Sequence, residues 1–445
     1  MNNTNKTNFL RRPLAIPQGG RLGKTVMKVA LVHDYIKGEG GAEQVLLTLH
    51  EMFPEAPIYT IFSNIGRGKN TNFEQKYAGA KIITSWFDKL PYREKLMSPL
   101  RFLLPVIWGS FNFSEFDLII SSASWAITKG FTTQMDQRGK KYQKHQRESP
   151  TSLKLRGALR EICYCHTPPR ILYGYETSRN WKKYWYIRIY ALITNHFLRQ
   201  YDFRRAQKVT QFVANSKVVQ DRIRKFYRRE SVIINPPVDI IKFKNQNAKI
   251  KTTIQKSKFK DGIYIDSGVR RNDKEENRYF LAGGRLEMPK NFDKIILACN
   301  QLKVQLKVYG SGPQMDYLKS IAGPTVELLG GVNDEEKIEL YQNCKAYITA
   351  AVDEDFGITP VEAMAAGRPV IAFKGGGYLE TVIEGKTGIF FEEATTEGLT
   401  RAIREFGKIG DKIKSQDCVE QAGKFSKKSF IDKMNKLINS LIKEE

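Results

Sequence analysis

Short apolar runs of four to six residues recur along the chain, and most are followed by stretches whose apolar positions return every three or four residues. The first run is Lys28-Val-Ala-Leu-Val-His33, followed by a glycine turn and a helical period from Gly41 to Met52. Similar runs stand at 57–62, 81–84, 117–121, 161–165 and 209–214. A second series occupies 279–283, 305–309, 326–329, 346–350, 369–372 and 388–391. Short, nearly continuous apolar runs read as strands buried on both faces, and their alternation with helical periods predicts parallel sheets with crossovers. The expected class is α/β, with two Rossmann-like domains whose parallel sheets face each other across a cleft.

The predicted boundaries are a disordered basic leader at 1–26, an N-terminal domain at 27–235, a C-terminal domain at 236–425, and a terminal helix at 426–445 packing back towards the N-domain. Two prolines in Asn235-Pro-Pro-Val238 place the hinge there. Polar stretches at 137–156 and 245–278 have little to bury and read as surface insertions, the second with a possible short hairpin strand at Gly262–Ile265.

A chain of 445 residues with 41% hydrophobic and 27% charged residues suits two folded domains rather than a disordered tract. No apolar run reaches the roughly 18 residues that a spanning helix needs. Residues 1–26 hold five basic and no acidic residues but lack the apolar core of a secretory signal. Five scattered cysteines show no metal spacing and fit a reducing compartment, so the expected location is cytoplasmic. The net charge of +25 is uneven: fourteen Lys/Arg against two Asp/Glu lie between Arg179 and Arg229, interleaved with Trp181, Tyr184, Trp185, Tyr186, Tyr190 and Phe197. Solvated charge, nucleic acid and an anionic membrane are all open readings of this span. The aromatics favour a headgroup surface at the inner face of the cell membrane, and no nucleic acid is expected as partner.

Candidate chemistry concentrates in Glu354-Asp-Phe-Gly-Ile-Thr-Pro-Val-Glu362. Gly357 permits a tight turn and Pro360 suits a first helical turn, so a helix N-terminus is expected to face an anion there. Glu354 and Glu362 could share that cleft and accept hydrogen bonds from sugar hydroxyls, although carboxylates also stabilise helix starts with no ligand present. Gly38-Glu-Gly-Gly41-Ala-Glu43 is either a flexible strand–helix turn or a close approach to phosphate at Gly40 and Gly41. His166, in Tyr164-Cys-His-Thr-Pro-Pro-Arg170, ends a strand and would face the ligand crevice unless it is merely structural. Cys163 and Cys165 read as small buried residues. Gly385-Lys-Thr387 is no P-loop, because Glu380 stands where the first glycine belongs.

Taken together, Glu354-x7-Glu362, Gly375-Gly-Gly377 with Glu380, Gly284-Arg285-Leu286 with Lys290-Asn291, Tyr309-Gly310-Ser-Gly-Pro313, and Asn215-Ser216 with Asn235-Pro-Pro-Val-Asp239 occur in one order. In that order they resemble retaining glycosyltransferase family 4 (group 1, GT-B type). The His166 block is similar to that of bacterial polysaccharide and O-antigen mannosyltransferases. The resemblance runs from about Lys28 to the terminal helix. It implies a nucleoside diphosphate sugar as donor, GDP-mannose being the guess from the His166 block, a glycan or lipid-linked acceptor, and no metal or cofactor. It further implies that Arg285 and Lys290 meet the diphosphate, that Gly40, Gly41, Gly310, Gly357 and Ile358 help to seat it, and that Glu362 holds ribose. Glu354 and His166 would contact the donor sugar. The triplet Asp353-Glu-Asp355 formally matches a metal motif of other transferases and reads as coincidental. The alternatives are another sugar-nucleotide enzyme of the same fold, epimerase or sugar-phosphate transferase, and a non-enzymatic nucleic-acid-binding protein.

Overall fold

The computed structural model describes residues 27–38, 40–67, 74–132, 159–177, 184–243 and 279–443. The leader, both polar insertions and Trp181, Lys182 and Lys183 lie outside them.

The first sheet has the order β3-β2-β1-β4-β5-β6-β7, all parallel. Its strands are β1 (Val29–His33), β2 (Ile58–Thr60), β3 (Ile82–Thr84), β4 (Leu118–Ala123), β5 (Arg160–Cys165), β6 (Gln211–Ala214) and β7 (Ser231–Ile233). The second has the order β10-β9-β8-β11-β12-β13, also all parallel. It comprises β8 (Phe280–Gly283), β9 (Leu306–Tyr309), β10 (Val326–Gly330), β11 (Tyr347–Thr349), β12 (Val370–Phe373) and β13 (Gly388–Phe391). Among the described residues, every run foreseen as a strand is one, within two residues at each end, while the possible strand at Gly262–Ile265 lies outside them. Strand β7 was not foreseen: it is a three-residue edge whose central Val232 is exposed, so it lacks the buried apolar run that betrays the others.

Both sheets are doubly wound, with the direction of winding reversing between β1 and β4 and between β8 and β11. Ligands of such sheets bind outside the carboxyl ends of the strands at the reversal. The loops after β1, β4, β8 and β11 are therefore where the site belongs. The strand cores explain the stability of this frame: Leu31, Ile120, Ile162 and Val213 are fully buried in the first sheet, and Leu281, Val308, Ile348 and Ile371 nearly so in the second.

The helix Lys427–Lys443 inserts Phe430, Met434 and Ile438, spaced by one helical turn, into the N-domain core beside Leu31 and Tyr164. It leaves the C-domain next to the hinge, where Val238 donates its N–H to Phe425 O at 2.9 Å and accepts from Lys427 N at 3.2 Å. Among the described residues no helix is long and apolar enough to cross a membrane.

Candidate functional site

Two helix starts meet in the interdomain cleft. The helix Gly41–Met52 opens after β1 with Gly40 extended at its N-cap and no side chain capping it. The helix Ile358–Ala365 opens after β11 behind Gly357, likewise uncapped. They abut closely: a Cβ on Gly41 would lie 2.7 Å from Ile358 Cδ1, so a side chain there would have to push the tip of Ile358 aside. Each start presents unpaired N–H groups and the positive end of its dipole, and together they form a place for an anion.

The cations expected there are present. Arg285 follows β8 and is 76% exposed, with Glu287 the nearer carboxylate at 3.7 Å. Lys290 ends a short turn, Met288–Lys290, and its Nζ is hydrogen-bonded to Glu354 Oε2. Beneath them, Gly310 has φ +121°, and a side chain there would strike Gly284 O. Glycine is thus needed where the β9 turn supports the Arg285 loop.

The two glutamates are held separately. Burial disfavours ionised Glu354, but Lys290, then Arg170 and Arg285, more than offset it and keep the carboxyl below its usual range. Tyr378 OH lies 3.5 Å from Glu354 Oε2. Glu362, one turn into its helix, accepts from Lys337 Nζ at 2.7 Å and Tyr341 OH at 3.1 Å. Tyr341 in turn shares a 2.7 Å hydrogen bond with Tyr309 OH. This preorganised chain fixes Glu362 from below.

On the N-domain side, His166 is half-buried and is anchored by its backbone N–H to Ala123 O at 2.8 Å. Its Nε2 lies 2.8 Å from Ser122 Oγ, which is also 3.1 Å from His33 Nδ1. One hydroxyl proton serves both rings, so Ser122 couples their tautomers. Burial, together with His33, pushes the His166 imidazole down to about 3, which leaves it neutral at physiological pH. Asp34 gathers the following loop: it accepts from Ser124 Oγ at 2.8 Å, Trp125 N at 2.7 Å and Ala126 N at 3.1 Å, and also from Thr128. Glu43 sits against Gly40, and burial pushes its carboxyl up while His33 and Arg285 oppose that.

The structure thus brings His166, Arg285, Lys290, Gly40, Gly41, Gly310, Gly357, Ile358, Glu354 and Glu362 to one pair of facing sheet ends. Sequence reasoning missed His33, Ser122, Asp34, Lys337 and Tyr341. His33 and Ser122 could have been sought as polar residues closing otherwise apolar strand runs; Lys337 and Tyr341 carry no local signal.

Comparison with known proteins agrees with this fold. Residues 268–425 match the family model described as glycosyl transferases group 1. The alpha-1,3/1,6-mannosyltransferase ALG2 of Dictyostelium discoideum is 32% identical over 182 residues, covering 40% of this chain and 39% of that protein. The chain therefore spans about two fifths of that relative's length. The capsular polysaccharide biosynthesis glycosyltransferase CapM of Staphylococcus aureus is 26% identical over 291 residues, covering 58% of this chain and 74% of CapM. Among solved structures, Anabaena HepE in complex with UDP and glucose superposes with a TM-score of 0.60 at 17% identity, over 93% of this chain and all of that one. Residues 268–425 are thus similar to glycosyl transferases group 1, and the two parallel sheets share the fold of the solved glycosyltransferase structures.

Proposed function

We propose that the chain moves a hexose, mannose being the favoured reading, from a nucleoside diphosphate sugar to a hydroxyl of a glycan or lipid-linked acceptor, with retention at the anomeric carbon. The observation that carries this reading is the meeting of two uncapped helix starts with Arg285 and Lys290 at the reversal points of both sheets. HepE, which has the same fold, was solved with UDP and glucose, and the Dictyostelium relative is named a mannosyltransferase.

In the reaction, the bond between the anomeric carbon and the diphosphate oxygen breaks and its electrons pass to the diphosphate. The acceptor oxygen bonds to that carbon and passes its proton to the departing diphosphate oxygen. Arg285, Lys290 and the Ile358 helix start stabilise the charge developing on the diphosphate, so no metal or cofactor is invoked. Glu362, fixed by Lys337 and Tyr341, accepts from ribose hydroxyls. Ionised Glu354 accepts from the sugar, and neutral His166 contacts it from the N-domain. Product analysis with and without acceptor tests this reading. Transfer to acceptor supports it, whereas release of a free sugar isomer without acceptor points to an epimerase.

Ser122→Ala is expected to lower turnover several-fold, since one hydrogen bond is worth about 1 kcal/mol. Nucleoside diphosphate affinity should stay unchanged, and Ser122→Thr should keep turnover. Steady-state kinetics with nucleotide titration checks this, and equal loss of binding and turnover would contradict it.

The proposed acceptor side fits a peripheral membrane protein. The helix Trp185–Lys208 leaves Trp185, Ile189, Leu192 and Phe197 exposed, with Arg188, Arg199 and Arg204 also on the outside. These apolar groups are therefore available, rather than buried against the sheet. Each basic residue near an anionic leaflet adds about 1 kcal/mol, and the attraction fades within a Debye length. The protein is expected to sediment with anionic but not neutral vesicles, to come off as salt rises, and to bind more weakly as Trp185→Ala while staying folded. A wild type that ignores anionic vesicles at low salt would contradict the membrane contact alone.

A further inference from the structure

The Asp353-Glu354-Asp355 triplet, which chemistry alone would offer to a metal, is gripped by the opposite domain. Arg170, at the end of the His166 loop, donates to Asp355 Oδ1 at 2.9 Å and also to the Asp353 carbonyl oxygen. Arg222, from the helix Lys217–Tyr227, donates to Asp353 Oδ1 at 3.2 Å and to Asp355 Oδ1. Its side chain is 5% exposed, and its guanidinium donates to Thr167 Oγ1 at 3.0 Å and lies over the Tyr175 ring at 4.2 Å. A charge this buried is costly unless it is paired, so Arg222 depends on carboxylates that its own domain does not supply here. A third carboxylate reinforces the join: Glu380 Oε1 accepts from Lys217 N, at the start of the same helix, at 2.6 Å.

Between the two gripped aspartates stands Glu354. Its backbone oxygen accepts from Gly377 N at 2.8 Å, and a side chain on Gly376 would strike that oxygen. The C-domain thus holds the loop from one side and the two arginines hold it from the other. Charge-assisted hydrogen bonds weaken steeply with distance, so an opening of a few ångströms would break the N-domain grip.

We propose that Arg170 and Arg222 are positioning residues: they lock onto Asp353 and Asp355 when the cleft shuts, and so set the Glu354 carboxylate only in the closed state. This rests on Glu354 being the ligand of the donor sugar. Donor binding to the C-domain and readiness for transfer are thereby separated, with domain closure linking them.

The test compares wild type, Asp353→Asn/Asp355→Asn, Arg170→Lys, Glu354→Gln and the triple combination, using the full chain. Small-angle scattering gives the radius of gyration without ligand, titration with UDP and GDP gives nucleotide affinity, and kinetics gives turnover with a nucleotide sugar. The double variant, nearly isosteric and altered at partly exposed sites, is expected to fold, to scatter as a more open particle and to bind nucleotide within about twofold of wild type. Its turnover should fall by roughly 10²-fold, as misplacement of about 1 Å does. Arg170→Lys should retain an intermediate rate. Adding Glu354→Gln to the double variant should cost little more, because the groups act as one unit. An unchanged radius of gyration, additive losses, or nucleotide affinity falling in step with turnover would overturn the proposal. If the wild type binds no nucleotide and transfers no sugar, the functional reading fails by itself, and the scattering comparison still decides whether the carboxylates hold the cleft shut.

Discussion

Lys290→Ala and Arg285→Ala should each reduce turnover by on the order of 10²-fold, the usual consequence of removing one partner of a charge that develops in the transition state. The two losses have different origins. Arg285 is mostly exposed and its ion pair among the described residues is with Glu287, so its removal takes away the proposed phosphate partner and disturbs Glu354 less than loss of Lys290 does. Lys290 also holds Glu354, whose burial would otherwise drive its carboxyl up. In Lys290→Ala the acid limb of the pH–rate profile should therefore move to higher pH, whereas in Arg285→Ala it should move less. The double variant should fold, because neither residue lies in a core. Turnover near that of wild type in the double variant would contradict the assignment.

Glu362→Gln is expected to weaken binding of the free nucleoside diphosphate and of the intact donor alike. A hydrogen bond to a charged group is worth about 1.5–3 kcal/mol, which corresponds to roughly 10- to 150-fold in Kd. Glu354→Gln should leave nucleoside diphosphate affinity nearly unchanged and act on turnover, since in the proposed function this carboxylate meets the sugar. Calorimetric titration of both variants with UDP and GDP separates the roles, and equal loss of affinity in both would refute them. The loss in Glu362→Gln should be accentuated by its surroundings: Lys337 and Tyr341 are left facing an amide that can accept at only one atom.

The acid behaviour of the fold follows from the same residues. His166 is neutral in the native state down to about pH 3, whereas the unfolded chain takes up a proton near its ordinary value of about 6.5. Unfolding therefore binds a proton across that window, and stability should fall as pH drops from about 6.5 to about 3, with no contribution above it. Glu354 is shifted in the same direction for a different reason, its cationic neighbours outweighing burial: its folded carboxyl is depressed, so its contribution is present above its unfolded value and is lost as pH falls through the folded one. Neither group limits stability at neutral pH. Denaturant titrations of wild type and His166→Gln between pH 7 and 4 should converge at the acid end.

Most of the frame was legible because the strands are continuous apolar runs buried on both faces, which a sequence displays directly. Ser231–Ile233 escaped because an edge strand with one exposed face carries only half of that signal. The helix start in the cleft was legible for a different reason: Gly357, Pro360 and the flanking glutamates write it into a few neighbouring positions. What remained hidden was everything set by distant pairing. Asp353 and Asp355 looked like a chance metal motif until Arg170 and Arg222, more than a hundred residues earlier, were found against them. Ser122 lies between His33 and His166 only because β4 sits between β1 and β5, a topological fact with no local trace. The exposed face of the helix Trp185–Lys208 was legible as a mixture of basic and aromatic residues, but which rings point outward depended on how the helix lies on the sheet.

The central claim is that a nucleoside diphosphate sugar binds between the two helix starts, beside Arg285 and Lys290. The most direct measurement is the thermal stability of wild type and Arg285→Ala/Lys290→Ala across a panel of UDP-, GDP- and other nucleotide sugars. Ligand that binds the native state stabilises it by about 2.7 kcal/mol at a concentration 100 times its Kd. At least one member of the panel is expected to raise the wild-type midpoint clearly and the double variant's little or not at all. A wild type unmoved by every nucleotide sugar, or a double variant stabilised to the same extent, would contradict it.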